Sequence, residues 1–501
     1  MKAKNFAEVL GDIKEKGLRV IVIGLGVTGI ETARFLYGRG ISVFCTERQA
    51  ESLFRSKSKL VAAIDGLKGT GIDVHFDVDG ERVVPHLENV GLAVLSPGVP
   101  LESSIIGAIT RAGVPYVSEL ELGVELHGGR AVVVTGSNGK STTASLIHHI
   151  LSRSGQPAFL CGNVGTPVIA SEEILASSSV TRSTLVVEAS SYQLELCTVL
   201  HPEVSVLLNI TDNHLERHGS IERYAAAKSR ALQLQTAGDI GIFNGDDPMV
   251  YRMAQKCFAS AVYFGRRKKS EMEKLSRRWA AIQYVPGEKN TVDVKWEQGV
   301  EQYDLTNISL LGLHNRYNVA ASILAARALG VTQQDIQAAL PSFRPLLHRL
   351  ELVIDRAGTT VINDSKSTTV AATVAAYLTV KESYPGRPVI LMIGGLSKAG
   401  SWEPLLSMID LKDTEVPPVL CFGKDAPLLS SHCRAKGVSH AVYATLRDAT
   451  TFAMRPPYDD GRVVLLSPGC ASFDEFADFE ERGIEFKRFV AELFARPEPM
   501  Q

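Results

Sequence analysis

The sequence predicts an α/β protein of three doubly wound units, and three observations carry that expectation. Short apolar, β-branched runs alternate with longer helical patterns, the arrangement of parallel strands covered by helices. The runs fall into three series, separated by breaks near residues 128 and 344. The length, 501 residues, suits about three domains at roughly 150 residues each.

In chain order, the first series is Val20–Gly24, Val43–Cys45 and Leu92–Gly98. The polar break His127-Gly128-Gly129 precedes a second series at Ala131–Gly136, Thr184–Val187 and Val204–Leu208. Pro341 and Pro345 mark the next break, and a third series follows at Thr359–Ile362, Val389–Ile393, Val419–Phe422 and Val463–Leu466. The expected domains are 1–128, 129–343 and 344–501. No fixed-period repeat is visible. Ser171–Ser183 reads as a polar loop, and the run Arg266–Arg278, with seven basic residues in thirteen, as a solvated helix face or loop.

Composition narrows the function classes. Hydrophobic residues make up 45% and charged residues 22%, enough to bury a core in each third. Lys plus Arg total 53 against 55 Asp plus Glu, a net charge of −2, which argues against a general polyanion binder but not against a local phosphate site. Seven cysteines without a C-x-x-C pair support neither a disulfide scaffold nor a zinc cluster. The first residues lack the apolar core of a secretory signal, and no apolar run is long enough to span a membrane. The expectation is a multidomain enzyme of a reducing, cytoplasmic compartment.

Gly24-Leu25-Gly26-Val27-Thr28-Gly29 follows the first run and precedes a helix expected near Ile30. Glycines allow a tight turn, and a helix N-terminus offers unpaired N–H groups to a phosphate. Glu47 ends the next run, where an acidic residue often meets a ribose. A dinucleotide dehydrogenase, another nucleotide-diphosphate site and a plain turn all remain open on this motif. Ser96-Pro97-Gly98 could line the same crevice.

The run VVVTGSNGKSTT is more specific. Gly136, Ser137, Asn138 and Gly139 form a compact loop, whose N–H groups can cradle phosphates. Lys140 can reach the β- and γ-phosphates, and the Ser141 hydroxyl can ligate magnesium. Val134 stands where the full eight-residue pattern begins with glycine. Glu188, after the strand LVV, and His214, after the next, are candidate magnesium ligands at the carboxyl ends of parallel strands. Lys228 alone reads as a solvated helix lysine, and Asn163 as a turn residue or a ligand.

Together these blocks resemble the Mur ligase family, ATP-dependent enzymes that build the peptidoglycan stem peptide. The resemblance rests on TGSNGKSTT, CGNVG, VEASSYQLE, NITDNHLERHG, RYAAAKSR and GLHNRYNVAAS. It continues through LLHRLE, INDSKSTTVAAT, MIGGLSKAG and SPGCASFDEFADFEERG. The strings NDSKSTT and SPGCASFDEFADFEERG point to the D-glutamate-adding branch. Another amino-acid-adding branch is the nearer alternative. An NAD(P)-dependent oxidoreductase would leave the second loop unexplained, and a degenerate nucleotide-gated binder would not need its intact polar set.

The resemblance implies a Rossmann-like first domain, a P-loop ATPase-like central domain and a Rossmann-like last domain. It implies UDP-N-acetylmuramoyl-L-alanine, D-glutamate and ATP as substrates, with two Mg2+ ions, in a monomer. Gly26, Val27, Thr28, Glu47, Arg48, Ser96, Pro97, Gly98, Asn163 and Ser190 would meet the UDP substrate. The loop from Gly136 to Thr142, with Asn315, Asn318, Arg349, Asp364 and Lys366, would meet ATP. Ser141, Glu188, His214 and Lys228, carbamylated, would hold the metal. Lys140, Asn163, His214 and Lys228 are the implied catalytic set. Thr368, Lys398, Ser472, Phe473 and Phe479 would form the D-glutamate pocket. A productive complex would then need the last domain to close over ATP.

Overall fold

A computed structural model describes residues 5–57, 60–170, 183–212, 215–286, 288–297, 299–345, 347–356, 358–397, 400–409, 417–455 and 461–494. His214, Lys398 and nearly all of the expected polar loop Ser171–Ser183 lie outside the described residues. Among the described residues there are three sheets, of five, nine and six strands. By contacts the chain divides into two compact units. One comprises Met1–Ile282, Val292–Tyr303 and Tyr317–Leu340; the other comprises Gln283–Thr291, Asp304–Arg316 and Pro341–Gln501.

The first sheet contains β1 (Arg19–Ile23), β2 (Ser42–Thr46), β3 (Asp73–His75), β4 (Val90–Leu95) and β5 (Tyr116–Ser118). Its order is β3-β2-β1-β4-β5 and every pair is parallel. β1 is buried along Val20–Ile23 because both faces are covered, which is why it reads as a continuous apolar run rather than an alternation. The reversal of order beside β1 brings the ends of β1, β2 and β4 around one crevice, the usual ligand position in such sheets.

The nine-stranded sheet contains β6 (Arg130–Thr135), β7 (Ala158–Gly162), β8 (Thr184–Glu188), β9 (Val204–Leu207), β10 (Ile240–Asn244), β11 (Ser260–Gly265), β12 (Trp279–Val285), β13 (Lys289–Trp296) and β14 (Gly299–Asp304). Its order is β14-β13-β12-β11-β10-β9-β6-β8-β7. β6 lies between β8 and β9, parallel to both. The basic run holds a short helix, Lys269–Leu275, and enters β12. Its cations are tied locally, with Lys269 paired to Asp293 and Arg278 over the Trp296 ring.

The third sheet contains β15 (Glu351–Arg356), β16 (Thr359–Asn363), β17 (Val389–Gly394), β18 (Val419–Phe422), β19 (His440–Tyr443) and β20 (Val463–Gly469), in the order β15-β16-β20-β17-β18-β19. β15 is antiparallel to β16; the other pairs are parallel.

Ser118 caps the helix Glu119–His127, which leads from β5 to β6. Two acidic residues in its first turn face inward. Glu119 Oε1 accepts from the Ile169 N–H at 2.8 Å, and Glu121 Oε1 accepts from the N–H groups of Thr198 and Val199. Burial pushes Glu119 up to about 7, against the backbone hydrogen bonds from Ile169 and Val168. Among the described residues no helix is long and apolar enough to cross a membrane.

Candidate active site

The first glycine loop closes on itself. The helix after it begins at Val27, three residues earlier than expected, with Gly26 as its extended N-cap. Thr28 and Gly29 therefore sit in its first turn, not in the loop. Gly29 cannot carry a side chain, because a Cβ there would overlap the Gly24 carbonyl. The Ser96 hydroxyl donates to that carbonyl at 2.8 Å. Glu47 holds the loop from the other side, accepting from the Leu25 N–H and the Gln49 N–H, both at 3.0 Å. A cavity of about 520 Å³ opens here, lined by Gly26, Thr28, Glu47, Arg48, Pro97 and Gly98 among others. The structure thus brings the expected UDP-side residues of this third together, with Val27 exposed on the helix start. Asn163 and Ser190 lie instead at the ends of β7 and β8 in the nine-stranded sheet.

At that second loop, Val134 lies fully buried inside β6, so the strand occupies the position where the longer pattern would start its loop. Gly136 and Gly139 make the turn with φ of +150° and +87°. A Cβ on Gly139 would overlap the Asn318 amide. Asn209, which the sequence did not single out, braces the loop. Its backbone carbonyl accepts from the Ser137 N–H, and its Oδ1 accepts from the Asn138 N–H, both at 2.8 Å. Its Nδ2 donates to the Asn138 carbonyl at 3.0 Å. The only available signal was its place directly after β9 in the block NITDN. Lys140 begins the helix Lys140–Arg153 and donates to the carbonyls of Gly136 and Ser137, both at 3.0 Å. Ser141 and Thr142 occupy its first turn.

Lys228 is fully buried, contrary to the reading of a solvated helix lysine. Its helix, Ile221–Ser229, directs Nζ to the Gly136 carbonyl at 2.9 Å and to Thr135 Oγ1 at 3.3 Å. Burial, then the charge of Lys140, pulls its pKa down to about 6, while Glu188 opposes them. A lysine so placed is largely neutral at pH 7, and a neutral amine is a nucleophile.

Glu188 ends β8 level with Val134 of β6 and Gly162 of β7. Asn163 Nδ2 donates to its Oε1 at 2.9 Å, and the Asn163 N–H to its backbone carbonyl at 2.9 Å. The other carboxylate oxygen, Oε2, is buried and has no hydrogen-bond partner among the described residues. An orphaned anionic oxygen beside a hydroxyl-bearing phosphate loop fits a hard divalent cation. Ser190 caps the short helix Ser191–Leu194 in a reciprocal capping box with Gln193. That is a structural use of its hydroxyl. Arg217 reaches across from the segment after β9, pairing with Glu195 and donating to the Val99 carbonyl at 3.2 Å.

The second unit gathers its own set at the carboxyl ends of β16, β17 and β20. Arg349 lies between two non-glycine residues with left-handed backbones, His348 (φ +63°) and Leu350 (φ +45°). Such strain persists only where surrounding bonds over-determine it. The His348 N–H donates to Glu351 at 2.9 Å, and the Leu350 N–H to Asp364 Oδ1 at 3.1 Å. Asp364 Oδ2 also accepts from the hydroxyls of Ser367 at 2.5 Å and Ser467 at 2.8 Å. Burial pushes it up to about 6, against these hydrogen bonds. Its carboxyl therefore organises the Arg349 loop rather than facing outward as an ordinary ion-pair partner. Lys366 is exposed, with Nζ 5.5 Å from the Phe479 ring.

Leu396 and Ala471 bridge the loops after β17 and β20, donating to one another at 2.8 and 2.9 Å. Thr368 is half-buried, Ser472 buried and Phe473 exposed at this edge. Asn315 is buried and donates to the Leu311 carbonyl at 2.7 Å. Cys470 is buried and its thiol is pushed up to about 12, chiefly by burial.

Three family descriptions match the chain in order. They are the Mur ligase MurD-like N-terminal domain at 18–118, the Mur ligase middle domain at 134–326, and the Mur ligase glutamate ligase domain at 348–470. UDP-N-acetylmuramoylalanine–D-glutamate ligase of Pelotomaculum thermopropionicum is 34% identical over 476 residues, 95% of this chain and 98% of that protein. The protein of the same name from Koribacter versatilis is 33% identical over 479 residues, with the same coverage. Among solved structures, MurF from Acinetobacter baumannii aligns over 98% of both chains with a TM-score of 0.58 at 16% identity. At that identity it speaks for the three-domain fold alone. A family pattern that runs through all three sheets, with relatives above 30% identity along nearly their whole length, leaves one conclusion: this chain belongs to the Mur ligase family.

Proposed function

We propose that this chain is the ATP-dependent ligase that joins D-glutamate to UDP-N-acetylmuramoyl-L-alanine, a cytoplasmic step of peptidoglycan precursor synthesis. The observation that carries the reading is the convergence at Gly136. The Gly136 carbonyl accepts from both Lys140 and the buried Lys228, and the Glu188 carboxylate acts on Lys228 through its charge, which supports a single centre. We assign residues 1–128 to the UDP-sugar, 129–343 to ATP and 344–501 to the amino acid. A single chain carries every group named, so a monomer suffices.

The chemistry must make an electrophile of a carboxylate. The γ-phosphoryl of ATP passes to the L-alanyl carboxylate, breaking its bond to ADP. The D-glutamate amine then attacks the acyl carbon; the new C–N bond forms, a proton is lost and phosphate leaves. Lys140 neutralises charge on the transferring phosphoryl group, and the loop N–H groups orient it. Magnesium, when bound, screens the phosphate oxygens. Ser141 and Glu188 would hold one ion, and His214 with carbamylated Lys228 a second. Carbamylation joins the neutral Nζ to carbon dioxide with loss of a proton, turning a neutral amine into an anionic ligand.

Glu47, the backbone from Gly26 to Thr28, Arg48 and the Ser96-Pro97-Gly98 turn would receive the UDP moiety. Asn163 and Ser190 would face the acceptor. Asn315 and Asn318 would meet adenine, with Arg349, Asp364 and Lys366 on the phosphate side. Thr368, Lys398, Ser472, Phe473 and Phe479 would bind D-glutamate. Phosphate release with ATP, magnesium and UDP-N-acetylmuramoyl-L-alanine tests the reading. It should depend on D-glutamate and not on L-glutamate; release that ignores D-glutamate would sink the specificity.

A further inference from the structure

Arg482 sits in the run Phe479-Glu480-Glu481-Arg482, which reads as the exposed start of a charged helix, yet its side chain is fully buried. Its hydrogen-bond partners are all uncharged. Nε donates to Ser365 Oγ at 2.9 Å and Nη2 to the Ser365 carbonyl at 2.9 Å. Nη1 donates to the Cys470 carbonyl at 3.1 Å and reaches the Gly394 carbonyl at 3.5 Å. Ser365 in turn donates its hydroxyl to the Phe479 carbonyl at 2.8 Å.

Those acceptors stand at the carboxyl ends of β16, β20 and β17, three neighbouring strands. One guanidinium therefore ties the loop that leads to Thr368, the loop that leads to Leu396 and the loop that carries Ser472. The rigid planar fork suits this use, since one group can meet several carbonyls in fixed directions. Among the described residues the nearby carboxylates Asp474 and Glu475 act on it through charge, holding its pKa up, but neither bonds it. Asp474 accepts from the Lys424 N–H at 3.0 Å, and Glu475 from the Leu446 N–H at 3.2 Å.

Burial lowers the Arg482 pKa to about 10, which leaves it charged at neutral pH. A desolvated cation without a bonded counter-ion is costly, and an apolar residue of similar size would fill the space with less penalty. The cost is offset when an anion arrives at the same sheet edge.

We propose that Arg482 is a positioning residue of the amino-acid pocket, fixing the three exit loops to one another and supplying the buried positive charge that an incoming dicarboxylate answers. This rests on the reading that the edge receives D-glutamate. Arg482 touches no substrate atom; it acts through the main chain of residues 365, 394 and 470.

The test is steady-state kinetics on the full-length enzyme, varying each substrate in turn, for wild type, Arg482→Met and Arg482→Lys. Arg482→Met should raise KM for D-glutamate more than tenfold, with kcat within threefold and KM for ATP and the UDP-substrate within twofold. Arg482→Lys keeps the charge without the fork and should fall between. An unchanged D-glutamate KM in a folded Met variant overturns the inference, as does an equal rise in all three KM values. If the Met variant does not fold, the Lys variant decides on the same readout, and a wild-type D-glutamate KM in it overturns the inference. A wild type that does not turn over D-glutamate overturns the substrate reading itself.

Discussion

Lys140 and Lys228 converge on one acceptor: each Nζ donates to the carbonyl of Gly136, at 3.0 and 2.9 Å. Two ammonium groups sharing a single carbonyl repel one another, and the more buried one yields its proton. Lys140 lies at a loop mouth, while Lys228 is enclosed, so it is Lys228 whose pKa falls to about 6.

That shift has a sign in solution. In buffer free of carbon dioxide, the unfolded chain binds a proton at Lys228 up to pH ~10, whereas the folded chain has lost it above about 6. Folding stability should therefore rise with pH across that window and be lost as pH falls through 6. Lys228→Met should flatten the rise and increase the melting temperature at pH 7, while lowering turnover by about 10²-fold or more. A melting curve whose pH dependence is the same in both proteins would refute the buried, neutral amine.

Asn163 orients Glu188 through its side-chain amide. Outer partners of this kind typically carry about 10–100-fold in metal affinity. Asn163→Ala should raise the magnesium concentration required for half-maximal phosphate release by roughly that factor. The check is a magnesium titration at saturating substrates, in which an unchanged midpoint would separate Asn163 from the metal site.

Glu119 shifts in the opposite sense from Lys228. Its folded pKa of about 7 stands above the ordinary carboxyl value of 4.5, so its stability contribution is present below 4.5 and lost as pH rises to 7. The total is about 3 kcal/mol at most. Glu119→Gln keeps an acceptor for the Ile169 N–H without a charge. The variant should melt higher than wild type at pH 8 and show little difference at pH 4.5, and an equal offset at both pH values would exclude it.

Glu47 accepts through one oxygen from the Leu25 N–H of the first loop and through the other from the Gln49 N–H of its own segment after β2. Charge-assisted bonds of this type contribute about 1.5–3 kcal/mol each. Glu47→Ala should raise KM for the UDP-substrate by about tenfold or more and leave KM for ATP within twofold. Parallel increases in both would mean that the substitution disturbs the fold rather than the first cavity.

Much of this was legible in the sequence, and most of what was not shares a physical cause. Strands such as Val20–Gly24 and Ala131–Gly136 announce themselves because both faces are covered and every residue is apolar. β13 and β14 did not, because polar residues such as Asn290 and Glu301 interrupt them, and the apolar β7, β10 and β11 were passed over although their composition matches the strands that were read. The phosphate loop was readable from its glycines, whereas its brace, Asn209, was one polar residue among several in NITDN. Lys228, Glu119 and Arg482 were opaque for the same reason: each is a charged residue on a helix, and only tertiary packing decides that it points inward. The expectation for charged helix residues is exposure, and the site lies where that expectation fails.

The pairing of Val134 with Glu188 across β6 and β8 gives the centre a particular kind of fragility. Strand side chains alternate faces, so one residue inserted anywhere within Thr184–Glu188 would turn the carboxylate to the far side of the sheet. Exchanging Leu185 for another apolar residue would leave Glu188 where it is. The five residues of β8 ahead of the loop thus act as a ruler, tolerant of spelling and intolerant of length.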